Sequence, residues 1–413
     1  MVQGMSARAR LATCALLAIA ATATADPTPP PAPLTLDTHV DIPFGYMREP
    51  RFDVGTDTKL KVDLGKMQRG GLDAVFFVIF VEQGPLTPKG YAHAVAQAQK
   101  KYSALALMLK RYPDRIRAAT TPEQVVANHA QGKLSAMIGI ENAYSLGHDL
   151  KNLDAAYAHG ARYLGVVHVG NNDLCTSSLP NAELHEPKIS TTGLTTFGRA
   201  AVKRANELGM MVDISHASDV CVRDVLAASD APIIASHSSA HALVDHPRNL
   251  SDELIRAIAD KGGVIQVVAY KEFVKRDTGR EAAEKALQKQ VAAAVDDKEF
   301  DSEKHEFLPA YEAGMRGIDE KFPLATLDDY LDHIKHMVDV AGIEHVGIAS
   351  DFDGGGGVTG WIDASQTHNL TEALSKRGFD AAQIEKIWSG NLLRVWREVG
   401  KRAKYPGASA KRS

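Results

Sequence analysis

The sequence predicts an α/β fold, a (β/α)8 barrel with enlarged loops after strands one and seven. Three observations carry that prediction. Short apolar runs alternate with amphipathic segments eight times in succession, the number that closes such a barrel. The runs are continuously apolar, as parallel strands covered on both faces require. No sustained Pro/Gly linker divides the interior of the 413-residue chain, although that length alone would suit two or three domains of roughly 150 residues each. An open doubly wound sheet is the alternative for the same β-then-α order.

At the N-terminus, Arg8 and Arg10 precede an Ala-rich apolar run from Leu11 to Ala20, followed by Ala23-Thr24-Ala25. A basic start, a short apolar core and a small-x-small site describe a cleaved secretory signal over residues 1–25. The apolar run is too short for stable membrane insertion, which needs roughly 20 residues. A secreted or periplasmic location is therefore expected. Residues 26–33 (DPTPPPAP) read as a Pro-rich linker, residues 34–400 as the catalytic barrel domain, and residues 401–413 as a basic, flexible C-terminal tail.

Within the barrel domain, the strand-like runs are Leu34–Val40, Ala74–Phe80, Ala136–Ile140, Tyr163–Val167, Met210–Ile214, Pro232–Ala235, Val264–Val268 and His345–Ala349. The intervening segments carry helix punctuation. Thr121-Pro122-Glu123-Gln124 reads as a capping box with proline at the first helical position. Thr196 to Leu208 has helical periodicity and stops at Gly209. Ser251-Asp252-Glu253 opens a helix ending near Gly262, with acids at its positive end. The enlarged loops are Pro43 to Gly71 and Lys271 to Leu324. Connections that long rarely lack structure of their own, and Arg280 to Val295 within the second predicts a helix. Both belong at the barrel face where substrates bind, and the second is expected to form part of the substrate mouth.

Composition narrows the chemistry. A chain with 47 basic and 51 acidic residues has no basic surplus for neutralising phosphates, so nucleic acid is excluded as a partner. The three cysteines make neither a disulfide scaffold nor a Cys-x-x-Cys zinc site. With Cys14 in the leader, Cys175 and Cys221 remain, either paired in an oxidising compartment or free.

The polar residues collect at one end of the predicted strands. His39 and Asp41 close the first, Glu141 the third, His168 the fourth, His216 the fifth, His237 the sixth and Asp351 the eighth. In a barrel these ends converge on one face. His39 and Asp41, two apart on a strand, point the same way. His39, Asp41, Glu141, His216 and His237 supply three imidazoles and two carboxylates. One catalytic zinc needs only three protein ligands, whereas five with a bridging carboxylate suit a metal pair about 3.5–4 Å apart. Nitrogen and oxygen donors without thiolate favour two Zn2+ per chain, with manganese, cobalt or iron as alternatives. A hydroxide bridging such a pair is a hydrolase's nucleophile. The remaining histidines, among them His93, His129, His159, His185, His333 and His336, are expected on solvated faces, with His241 and His246 as candidates for supporting the site.

Asp37-Thr38-His39-Val40-Asp41-Ile42-Pro43, Gly139-Ile140-Glu141, Val212-Asp213-Ile214-Ser215-His216, Ser236-His237-Ser238-Ser239-Ala240, Ser350-Asp351-Phe352-Asp353-Gly354 and Gly390-Asn391-Leu392-Leu393-Arg394-Val395 together resemble the renal (membrane) dipeptidase family. Each motif is weak alone, but the ordered set spans about residues 35 to 400. The resemblance implies a metallodipeptidase (EC 3.4.13 type) that hydrolyses the peptide bond of small dipeptides and tolerates a C-terminal D-residue. It implies a (β/α)8 barrel in which His39 and Asp41 hold one zinc, His216 and His237 the other, and Glu141 bridges them. It further places His168 at the scissile carbonyl, Arg248 and Tyr270 at the substrate carboxylate, and Asp351 as the acid/base. Val167 departs from the threonine usual before that histidine. Family members from vertebrates carry an apolar lipid-anchor tail, and the ending Ala-Lys-Arg-Ser predicts none. A homodimer is the default assembly.

Two other classes fit parts of the pattern. Binuclear amidohydrolases acting on lactones, cyclic amides or phosphotriesters commonly carry His-x-His after strand one and a carboxylated lysine, where this chain has His39-x-Asp41 and a glutamate. A secreted metal- or peptide-binding protein would leave Arg248 and Asp351 without a purpose.

Overall fold

The computed structural model describes Met1, residues 32–187 and residues 191–404. The expected signal segment, most of the Pro-rich linker and residues 405–413 of the expected tail lie outside the described residues. Residues from Pro33 onward form one compact unit. Its sheet contains β1 (Leu36–Val40), β2 (Ala74–Phe80), β3 (Ile116–Ala118), β4 (Leu134–Glu141), β5 (Ala161–Gly165), β6 (Met211–Asp213), β7 (Ile234–Ser238), β8 (Val264–Val268) and β9 (Val346–Ala349). Every pairing is parallel, in the order β1-β2-β4-β5-β6-β7-β8-β9. β9 returns to β1: Asp351 N donates to His39 O at 3.1 Å, and Asp41 N to Phe352 O at 2.9 Å. The sheet is thus a nearly closed barrel of eight parallel strands, a (β/α)8 fold, and the doubly wound alternative is excluded.

Helices alternate with the strands. They are α1 (Leu64–Gly70), α2 (Pro88–Arg111), α3 (Pro122–Ala130), α4 (Leu150–Ala158), α5 (Thr196–Leu208), α6 (Asp219–Ala228) and α7 (Asp252–Asp260). The long connection after β8 holds α8 (Lys271–Val274), α9 (Thr278–Ala294), α10 (Ser302–His305) and α11 (Pro309–Lys321) before α12 (Leu327–Ala341). After β9 come α13 (Thr367–Lys376), α14 (Ala381–Glu385) and α15 (Asn391–Gly400). Among the described residues no helix is long and apolar enough to cross a membrane.

The eight expected strands all form, Ala74–Phe80 and Val264–Val268 with the expected bounds and the others with shifted ends, and the sequence reading missed β3. It pairs with the start of β4, from Ile116↔Leu134 to Ala118↔Ala136, where β5 has not yet begun its own pairing at Ile138↔Ala161. With one buried residue in three, its sequence carries almost no apolar signal. The strand expected at Pro232–Ala235 begins two residues later and ends three later, which puts His237 inside β7.

The helix signals mostly correspond to structure. α5 spans Thr196–Leu208 and ends on Gly209 at φ 74°, a left-handed position that favours glycine. The hydroxyl of Ser251 caps α7. At α3, Thr121 accepts from Gln124 N, but the Gln124 side chain reaches Thr120 N at 2.7 Å, one residue upstream of the expected box. Reciprocal boxes form at Thr326/Asp329 and Asp380/Gln383. The chain stays attached past α15: Lys404 N donates to Glu207 O at 2.9 Å.

Candidate metal centre and active site

Because all strands are parallel, their C-terminal ends share one rim, and the seven polar strand-end residues meet there. His39 lies within β1, Glu141 ends β4 and His237 lies within β7. His168, His216 and Asp351 stand two or three residues beyond β5, β6 and β9. Three overlapping groups bring potential ligand atoms within 4.8 Å of one another: His39, Glu141 and His237; Glu141, His168 and His216; His39, Asp41 and Asp351. Glu141 is the common member of the first two. Its Oε2 lies 3.3 Å from His39 Nε2, while Oε1 lies 3.1 Å from His216 Nε2 and 3.6 Å from His237 Nε2. One carboxylate therefore faces two imidazole groups, one with each oxygen. Asp41 and Asp351 approach His39 Nε2 at 3.8 and 4.0 Å.

The rings are oriented from behind. Tyr163 Oη donates to Thr38 O at 3.2 Å, so it can accept the Nδ1 proton of His39, also at 3.2 Å. That leaves His39 Nε2 to face the carboxylates. Ser236 Oγ donates to Asp213 Oδ2 at 2.7 Å and accepts from His237 Nδ1 at 2.8 Å, which aims the His237 Nε2 lone pair into the cluster. Gly139 makes room for this support, because a Cβ there would fall 1.9 Å from the Tyr163 ring. Gly354 similarly lies where a Cβ would meet Asp41 Oδ2 at 2.3 Å and Asp351 Oδ1 at 2.6 Å. His216 and Asp351 have φ 69° and 59°. Left-handed backbone at non-glycine residues costs of order 1–3 kcal/mol and gathers at functional sites.

The electrostatics favour a bound cation. Burial opposes charge on His39, but Glu141, Asp41 and Asp351 outweigh it and hold its pKa up at about 10. Burial also acts against ionised Glu141, yet the surrounding histidines keep its pKa well below the usual range. Burial, with Arg248 and neighbouring imidazoles, pushes His216 and His237 well below theirs. Their Nε2 atoms nonetheless lie 2.8 Å apart. Nitrogen lone pairs that converge beside an ionised carboxylate in a buried site are what a divalent cation requires. The donor set of imidazole and carboxylate, without thiolate, suits zinc.

The other expected residues surround this cluster. His168 Nε2 is 3.8 Å from Glu141 Oε1, and burial drives its pKa down to about 4. Burial pushes Asp351 well above the ordinary carboxylate range, with Asp41 and Glu141 adding to the effect against His39. Arg248 is 3% exposed; its Nη2 donates to His237 O at 3.0 Å, its Nε has no partner, and its guanidinium lies over the Phe273 ring at 5.2 Å. Tyr270 stacks on the same ring at 4.4 Å.

Of the two histidines considered as supports, His246 accepts from Arg248 N at 3.1 Å, whereas His241 is exposed and pairs with Asp245. His333 corrects the expectation of a solvated face. It is buried, accepting from Ala240 N and meeting Val274 O, both at 3.1 Å, because it lies in the stripe of Tyr330, Leu331, Ile334 and Met337. Asp213 and Tyr163, which the sequence reading left without a role, have only position as a signal: Asp213 stands three residues before His216 in the fifth run. Cys175 and Cys221 are joined, with their Cα atoms 6.0 Å apart.

A (β/α)8 barrel whose rim gathers four histidines and shared carboxylates defines the class of metal-dependent hydrolases. Residues 32–409 match the model of the membrane dipeptidases (peptidase family M19), and the chain belongs to that family. Dipeptidase tcpJ of Claviceps purpurea is 30% identical over 365 residues, covering 86% of this chain and 73% of its own length. Dipeptidase aclJ of Aspergillus oryzae is 28% identical over 344 residues, covering 82% and 70%. The structure of the probable dipeptidase PvdM from Pseudomonas aeruginosa superposes with a TM-score of 0.78 at 35% identity, covering 90% of this chain and 96% of that one. The chain is accordingly a dipeptidase of the metallopeptidase type, with small peptides as substrates.

Proposed function

We propose that the chain hydrolyses dipeptides at a centre of two zinc ions, with His39 and Asp41 holding one, His216 and His237 the other, and Glu141 spanning both. The observation that carries this reading is the division of Glu141, whose two oxygens face different imidazoles at 3.3 and 3.1 Å. When bound, zinc supplies Lewis acidity that activates the attacking water and polarises the scissile carbonyl. Arg248, buried and without a carboxylate partner among the described residues, binds the substrate's terminal carboxylate through its planar fork. Tyr270 stands beside it on the Phe273 ring. His168, neutral because burial drives its pKa to about 4, offers a ring N–H to the oxygen on which negative charge develops. Asp351 takes the proton of the attacking water and delivers it to the leaving amine; a buried carboxyl with a raised pKa is suited to both. A C-terminal D-residue is tolerated in this reading because the Arg248 fork grips the carboxylate and not the side chain. The joined Cys175 and Cys221 support export to an oxidising compartment.

Elemental analysis together with dipeptide turnover tests the proposal. The expected outcome is two zinc ions per chain and release of both amino acids, with Glu141→Gln losing metal and Asp351→Asn keeping metal but losing at least about a hundredfold in kcat. One metal per chain at full activity would overturn the binuclear reading.

A further inference from the structure

The buried stripe of α2 contains Ala94, Ala98, Lys101, Leu105 and Met108, the spacing by which a helix meets its core. A lysine there is costly, since taking an ammonium out of water carries a penalty of several kcal/mol unless a partner meets it. Lys101 is only 3% exposed. Among the described residues its ammonium has neither a hydrogen-bond nor an ion-pair partner. It rests over the rings of Phe44 and Phe80, at 4.7 and 5.7 Å. The carboxylates whose fields reach it are Asp41, Glu303 and Glu141, two of them in the metal centre.

This cation adjoins the active site on a defined side. The Phe80 ring, at the end of β2, lies 4.5 Å from the ring of His168. Phe44 follows β1, and its backbone N–H is held by Glu303 of α10 at 2.8 Å. In the ring of eight strands, β2, which ends in Phe80, lies opposite β7, whose His237 carbonyl accepts from Arg248. An extended dipeptide spans about 7 Å. With its carboxylate on Arg248 and its carbonyl beside Glu141 and His168, its N-terminal residue extends toward β1 and β2.

We propose that Phe44, Phe80 and Lys101 form the subsite for the N-terminal residue's side chain, and that this subsite selects aspartate or glutamate there, with the side-chain carboxylate on the Lys101 ammonium. The inference rests on the dipeptidase reading above. The two rings enclose the methylenes, and the charge-assisted bond satisfies a cation that is otherwise buried alone. A neutral side chain of the same shape leaves that cation without a partner.

The test compares Glu-Ala, Gln-Ala and Leu-Ala on the zinc-loaded wild type, Lys101→Met and Lys101→Arg, with thermal unfolding of each to verify folding. The wild type should favour Glu-Ala over Gln-Ala by about tenfold or more in kcat/KM, chiefly through KM. Lys101→Met should bring that ratio to about one, and Lys101→Arg should restore part of it. A wild-type ratio near one overturns the subsite. So does a preference that survives Lys101→Met while all three substrates slow equally, which would make Lys101 a positioning residue for Asp41. Failure to hydrolyse any of the three dipeptides would overturn the dipeptidase reading itself, a distinct result from turnover without acid preference.

Discussion

Ser236 never faces the centre of the cluster, yet it decides which nitrogen His237 presents to it. Its hydroxyl hydrogen is committed to Asp213 Oδ2, so its oxygen takes the Nδ1 proton of His237 and leaves Nε2 with a lone pair. Ser236→Ala should therefore weaken zinc binding by about 10–100-fold while the fold persists. Competition with a chromophoric chelator measures the affinity, and unchanged binding would remove the relay from the account. At this scale the cluster itself was readable in the sequence, because His39, Asp41, Glu141, His216 and His237 fall at matching ends of apolar runs and meet at one rim. The supports were not. Tyr163 sits mid-strand like any core aromatic, and its link to His39 depends on the missing side chain at Gly139, a neighbour only across the sheet. Lys101 gave no signal for a similar reason, since a lysine in a helix reads as solvated until the packing of that face is known.

The connections after β5 and β6 act as a pair. Ser178 N donates to His216 O at 2.8 Å, and Ser218 N to Thr176 O at 2.9 Å. The Cys175–Cys221 bond ties the first loop to α6 across 46 residues of sequence. His168 and His216, carried by these connections, thus stand on a cross-linked platform. Replacing both cysteines by serine should lower unfolding free energy by about 3–4 kcal/mol from loop entropy. Denaturant titration checks this, and a reductant should destabilise the wild type but not the double variant. Equal effects of reductant on both would refute the assignment. The enlarged connection after β8 shows what sequence does and does not convey about elements. Its main helix was expected over 280–295 and runs Thr278–Ala294, because an Ala/Lys/Glu/Gln-rich segment has strong local propensity. Its docking was not visible: Glu303 reaches Phe44 N at 2.8 Å across 259 positions of sequence, a contact whose partners come from separate segments.

For the molecule as a whole, barrel closure sets residues from both ends of the chain against each other. Ser350 N donates to Asp37 Oδ1 at 3.0 Å across 313 positions, and Asp351 comes beside His39. Without metal, the rim concentrates Asp41, Glu141 and Asp351 in a buried space where their charges repel. Removing metal with a chelator should therefore lower the melting temperature by about 3 °C or more, as expected when a ligand at roughly a hundred times its Kd is withdrawn. Restored zinc should reverse the shift. An unchanged melting curve after verified metal loss would show that the centre contributes nothing to stability. The sequence by itself determined the fold class and which polar residues gather at one rim of the barrel, because periodicity and residue type are local properties of the chain. Only the tertiary structure decided that Glu141 divides its oxygens between two imidazole groups, that Arg248 is buried without a carboxylate partner among the described residues, and that Lys101 is buried over the rings of Phe44 and Phe80. Those facts depend on distances between strands that are adjacent or opposite in the barrel, and no spacing along the chain encodes them.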